Sequence, residues 1–81
     1  MIIRYFAWIK DLTNKDHEEI NENIPKTIEE LKLILIKSYP NLEKHIKSNV
    51  IRYAINMEYT SNNQDLTSND EIAIFPPVSG G

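Results

Sequence analysis

The residues best suited to chemistry in this chain are its last six, Pro76-Pro77-Val78-Ser79-Gly80-Gly81. Gly80 and Gly81 are the only glycines in the sequence, whereas average usage would place about six, spread through turns. An adjacent pair at one fixed position arises by chance about one time in 200. A chain that avoids glycine elsewhere and closes on two of them is expected to use them for something other than a turn. The tail has no charged side chain, which leaves the Gly81 carboxylate as its expected ionised group. A carboxylate is a poor electrophile until one oxygen becomes a leaving group, as in adenylation with ATP; a thiol or an amine can then attack. That reaction needs an acyl carbon free of bulk and a backbone able to thread a narrow channel. Glycine, with no Cβ, meets both needs. Pro76 and Pro77 cannot donate to a sheet ladder or continue a helix, so they end the last strand and favour an extended course. At about 3.1 Å per residue the six residues would project about 19 Å, and their stiffness would lower the entropy lost on threading.

Composition removes most other chemistries. The absence of cysteine excludes disulfides, a thiol nucleophile and thiolate metal sites. His17 and His45 stand apart, with no partner at metal-ligand spacing, and read as surface residues. Glu18, Glu19, Glu22, Glu29 and Glu30 could form an acid–base or metal cluster, but a solvated strand edge and helix start explain them more simply. No Ser-His-Asp arrangement is evident, and without internal glycine a phosphate loop or nucleotide fingerprint is excluded. A net charge of −3 argues against nucleic acid as the main partner. No apolar run approaches the ~20 residues of a membrane span, and Met1-Ile2-Ile3-Arg4 lacks the layout of a signal peptide. A cytoplasmic protein with no membrane partner is the expectation.

The elements that must hold out this tail form one small domain, residues 1–75, without repeats or interdomain linkers. Ile2 to Ile9 alternates as a strand, with Ile3, Tyr5, Ala7 and Ile9 on one face. Ile2, Arg4, Phe6 and Trp8 line the other, wetter face, leaving Phe6 and Trp8 partly exposed. A polar turn over Asp11 to Asp16 leads into His17 to Ile24, a poor acidic strand suited to a sheet edge. Thr27 as N-cap and Glu30 three residues later form a capping box for a helix with Ile28, Leu31, Ile34 and Leu35 on its inner face. Pro40 stops it, and Leu42 and Ile46 suggest a further helical turn over residues 41–47. Val50 to Asn56 alternates again, Tyr59 falls on a short return strand, and Glu71 to Phe75 is the last strand. Ile72 and Ile74 face one way there, Ala73 and Phe75 the other. Turns are expected at Thr13–Asp16, Ser61–Asn63 and Ser68–Asp70, where Asn, Asp and Ser replace glycine. This order predicts an α+β, β-grasp fold. It has a mixed sheet of four to five strands, the last returning beside the first, with one main helix packed on one face. Residues 76–81 form a flexible tail.

The ending Asp70-Glu71-Ile72-Ala73-Ile74-Phe75-Pro76-Pro77-Val78-Ser79-Gly80-Gly81 resembles the small, sulfur-carrier subunits of molybdopterin synthase, of ubiquitin-like fold. Tyr5-Phe6-Ala7, the helix from Thr27 and Ala54-Ile55-Asn56 also fit that family, so the resemblance spans essentially the whole chain. It implies that an E1-like adenylating enzyme activates Gly81 with ATP and that a sulfur donor protein converts it to a thiocarboxylate. The tail, including Val78, Ser79 and Gly80, then enters the large synthase subunit. There sulfur passes to precursor Z to build the dithiolene of molybdopterin. The resemblance further implies a heterotetramer, no permanently bound cofactor or metal, and a catalytic pocket that belongs to the large subunit. By position, the family's docking residues correspond to Phe6, Tyr59 and Phe75, beside Pro76 and Pro77. The strand phases independently place Phe6 and Phe75 away from the core; the alternative is that all three are ordinary core aromatics. Two other functions remain open, a sulfur carrier for thiamine or tRNA thiolation and a β-grasp interaction module without acyl chemistry. The Pro76-Pro77 spacer disfavours the thiamine carrier.

Overall fold

A computed structural model describes residues 1–77. Its elements are β1 (Ile2–Tyr5), α1 (Ala7–Thr13), β2 (His17–Glu19), α2 (Ile28–Ser38), a 3-10 turn (Pro40–Leu42), α3 (Glu43–Lys47), β3 (Arg52–Ile55), β4 (Glu58–Thr60) and β5 (Glu71–Phe75). The strands form one mixed sheet in the order β2-β1-β5-β3-β4. The last strand lies parallel to the first, with Ile3 opposite Ile72 and Tyr5 opposite Ile74. On its other side β5 runs antiparallel to β3. This is the expected β-grasp arrangement, with β5 at its centre.

The core lies between the sheet and α2. Ile3, Tyr5, Ile72 and Ile74 meet Ile28, Leu31 and Leu35 there, and all seven are buried. Helix α2 begins as its sequence directs. The Thr27 hydroxyl accepts from the Glu30 N–H at 3.2 Å, and the Glu30 carboxylate reaches back to the Lys26 N–H at 3.3 Å. The reciprocal bond of the capping box thus falls one residue earlier than in the standard motif. Ile34 is only half-buried, because the inward stripe is centred on Leu31 and Leu35.

Two expectations need correction. The first strand ends at Tyr5 instead of Ile9, and a helix occupies much of the expected turn. Ala7 takes a left-handed backbone, φ 53°, which turns the chain out of the sheet. Ile9 and Thr13 then bury on one side of α1 at i, i+4 spacing. Ala7 itself is exposed. The second strand covers only His17–Glu19. One further ladder bond, Ile20 N–H to the Met1 carbonyl at 2.8 Å, closes the pairing before Asn23, φ 53°, turns the chain away. The position of β2 at a sheet edge agrees with its acidic sequence.

Asparagine makes the left-handed turns that glycine usually makes. Of six non-glycine residues with positive φ among the described residues, four are Asn14, Asn23, Asn49 and Asn56. Asn56 and Met57, at φ 51° and 72°, join β3 to β4 as a two-residue hairpin, the turn that demands positive φ at both positions. The Ser61–Asn63 and Ser68–Asp70 segments turn instead through side chains. Thr60 Oγ1 bonds the Asn62 N–H and carbonyl, and the Asp70 carboxylate accepts from the Thr67 N–H at 2.8 Å.

Candidate functional site

The root of the tail is the end of β5. Phe6 extends the β1–β5 pairing, since its N–H donates to the Ile74 carbonyl at 3.1 Å. The parallel register therefore brings Phe6 beside the point where Phe75 gives way to Pro76. Register partners share a face, so the open side of the sheet carries Arg4, Ala73, Ala54 and Tyr59 in one row, with Phe75 and Arg52 in the next. Tyr59 is 59% exposed and Phe6 46%; Phe75 and Pro76 are partly covered and Pro77 is exposed. The Tyr59 and Phe75 rings lie 6.5 Å apart between centroids. None of Phe6, Tyr59 and Phe75 belongs to the hydrophobic core. Large apolar side chains grouped on an uncovered sheet face are the ordinary signature of an interaction surface. Val78, Ser79, Gly80 and Gly81 lie outside the described residues.

The start of β5 is pinned by Asn56. Its side-chain amide accepts from the Glu71 N–H at 3.0 Å and donates to the Asp70 carboxylate at 2.9 Å. Its own N–H reaches the Glu71 carbonyl at 2.8 Å. The Thr67 N–H holds the Asp70 carboxyl below the usual carboxylate range, and the Asn56 amide adds to this against a small burial penalty. These bonds set where β5 begins, and so the register at which Phe75 and the prolines emerge.

A second network anchors β1, one that residue spacing does not announce. Glu18 is half-buried rather than part of a solvated edge. One carboxylate oxygen accepts from the Tyr39 hydroxyl at 2.6 Å and also from the Tyr5 hydroxyl, with Lys15 Nζ 3.6 Å from the other oxygen. Burial pushes the Glu18 carboxyl up, but the two phenols and the Lys15 charge outweigh it and hold the group below its ordinary value. Burial, then the bond to Glu18, pushes the Tyr5 phenol up. The lowered carboxyl gives stability that is present at neutral pH and lost as pH falls through the native value. Glu18→Gln should therefore cost about 1–3 kcal/mol at neutral pH. In denaturant titrations the difference from the natural chain should shrink towards zero in acid; a difference unchanged by pH would contradict the charged network.

The remaining candidates do not converge. Among the described residues no group of three or more His, Asp or Glu side chains is arranged to hold a metal ion. His17 is exposed and 2.7 Å from Asp16, while His45 packs against Trp8 in a tilted pair with centroids 4.7 Å apart. Glu29, exposed at the start of α2, pairs with Lys32 at 3.4 Å, and Lys32 lies over the Tyr53 ring. The domain's functional potential is concentrated at the root of the tail.

Residues 3–81 match the ThiS family. The chain belongs to that family. A relative from Dictyostelium discoideum, named molybdopterin synthase sulfur carrier subunit, is 38% identical over 98% of this chain and 93% of its own length. A solved complex of subunits 1 and 2 of the molybdopterin-converting factor from Helicobacter pylori contains a chain that superposes with TM-score 0.69. It is 28% identical, covering 99% of this chain and 96% of that one. A putative molybdopterin converting factor subunit 1 from Pyrococcus furiosus superposes at TM-score 0.80 over 95% of both chains; at 24% identity it supports the fold alone. The ThiS-family match extends over residues 76–81 as well as the domain.

Proposed function

We propose that this chain is the sulfur-carrier subunit of a molybdopterin synthase, with the acyl carbon of Gly81 as its working atom. The observation that carries this reading is the family match over residues 3–81, diglycine included, together with near-full-length similarity to a relative bearing that name. The exposed aromatic group at the root of the tail supports it. An E1-like enzyme joins the Gly81 carboxylate to AMP, releasing pyrophosphate. Sulfur from a donor protein displaces AMP and leaves a thiocarboxylate. The tail then enters the large subunit, the sulfur passes to precursor Z, and water restores the carboxylate. Molybdopterin carries two dithiolene sulfurs, so two loaded carriers serve each product. ATP is a substrate of the activating enzyme, and this chain holds no cofactor of its own. No described helix is long and apolar enough to cross a membrane, and we place these reactions in the cytoplasm.

The direct test incubates the thiocarboxylated chain with the synthase large subunit and precursor Z. Molybdopterin should form with one carrier sulfur lost per transfer. Product formation only with a thiamine or tRNA thiolation system would overturn the assignment. The docking surface has its own test. Phe75→Asp should weaken binding to the large subunit by about 30-fold or more in calorimetry, as expected for a central aromatic anchor; an unchanged affinity would remove Phe75 from the interface.

A further inference from the structure

We propose that Arg52 is the charged anchor of the docking surface and that the synthase large subunit meets it with a carboxylate. The inference rests on the carrier reading above and adds the partner's chemistry at one point. On that reading the reacting carbon lies four residues beyond Pro77. Four residues span at most about 14 Å in any conformation. An enzyme that acts on that carbon must therefore come close to Pro77, and the large subunit must lie against the surface beside it. Arg52 is in that surface, since it is the register partner of Phe75 on β3.

The open sheet face carries two cations, and they differ. Arg4 is neutralised within the domain, its Nε 2.8 Å from a Glu71 carboxylate oxygen. Arg52 makes no ion pair among the described residues. Its one described bond runs from Nη1 to the Asn49 carbonyl at 2.6 Å. Asn49 has a left-handed backbone, φ 60°, between α3 and β3. That bond holds the guanidinium in place while leaving its charge and four of its five N–H donors without a partner among the described residues. A partner that covered this group with apolar surface would bury an uncompensated charge, which is strongly unfavourable. A carboxylate opposite Arg52 removes that cost and fits the planar fork of donors.

Charge pattern gives the pairing its directional value. The chain as a whole carries −3, and Glu19, Glu22 and Glu30 are exposed on β2, the following loop and the start of α2. An acidic group on the large subunit is repelled by those regions and attracted at the root of the tail. Arg52 thus favours the one orientation that points the tail at the partner's catalytic pocket, an effect expressed in specificity and association rate.

The test measures binding of the full-length chain to the large subunit from the same cells by calorimetry, at low and high salt. Arg52→Gln should raise Kd by about 30-fold or more, and Arg52→Glu further still. The salt dependence of binding should flatten in Arg52→Gln, because a screened attraction has been removed. Replacing Asp or Glu residues of the large subunit one at a time with Arg should yield one variant that restores binding to Arg52→Glu. Equal binding by the natural chain and Arg52→Gln, with both folded by circular dichroism, would overturn the anchor while leaving the carrier reading intact. Failure of the natural chain to bind the large subunit at all would overturn the carrier reading itself. Weakened binding with unchanged salt dependence and no rescue by charge reversal would show that Arg52 acts only by bracing Asn49, which also refutes the proposal.

Discussion

Appending one residue after Gly81 should abolish sulfur transfer while leaving the domain folded. The added residue moves the reacting carbon by about 3.5 Å, and a displacement of even about 1 Å can cost 100-fold in rate. It also replaces the unhindered glycine acyl group with one bearing a side chain, unless the addition is itself glycine. A third glycine is therefore the sharper variant, because it changes reach and little else. The readout is molybdopterin formed from precursor Z with the large subunit present, alongside circular dichroism of the carrier. A variant that transfers sulfur at the natural rate would show that the partner does not measure the length of the tail. The Pro76-Pro77 segment would then have no role as a spacer, since a rigid spacer matters only where distance is read.

Leu31→Ala should destabilise the domain by about 2–5 kcal/mol. Leu31 is completely buried, 0% exposed, on the face of α2 that covers Ile3, Ile72 and Ile74. A domain of this size buries only about 60% of its unfolded surface and has a correspondingly small margin. A loss of that size is a large part of the roughly 5–15 kcal/mol typical of folded domains. Denaturant titration at neutral pH measures it directly. A loss below about 1 kcal/mol would mean that α2 does not seal the sheet through this residue. The consequence reaches function, because α2 supports β5, and β5 carries the tail.

What the sequence revealed and what it concealed divide along a physical line. Helix α2 was legible because Thr27, Glu30 and Pro40 mark its ends and the Leu31–Leu35 stripe marks its face, all within one segment. Strand β5 was legible because the prolines bound it and Ile72 and Ile74 alternate with Ala73 and Phe75. The same alternation placed Phe6 and Phe75 outside the core. Helix α1 was concealed because Phe6 to Ile9 is apolar throughout, and such a run satisfies a period of two as readily as one of 3.6. The residue that decides between them is Ala7, whose left-handed backbone nothing in its side chain announces. Glu18 was read as a solvated edge residue because its neighbours are acidic. Its two phenol partners, Tyr5 and Tyr39, are 13 and 21 residues away in the chain, and only the fold unites them. Arg52 lies in a strand that alternation alone could place, but that it has no carboxylate partner among the described residues is a property of the assembled surface.

The most direct test of the central claim is the intact mass of this protein purified from its own cells, without exposure to strong base. A population heavier by one exchange of oxygen for sulfur is expected, with fragmentation placing the sulfur on Gly81. That population should vanish when the adenylating enzyme is removed. A single species with an ordinary carboxylate, in cells that are making molybdopterin, would contradict it.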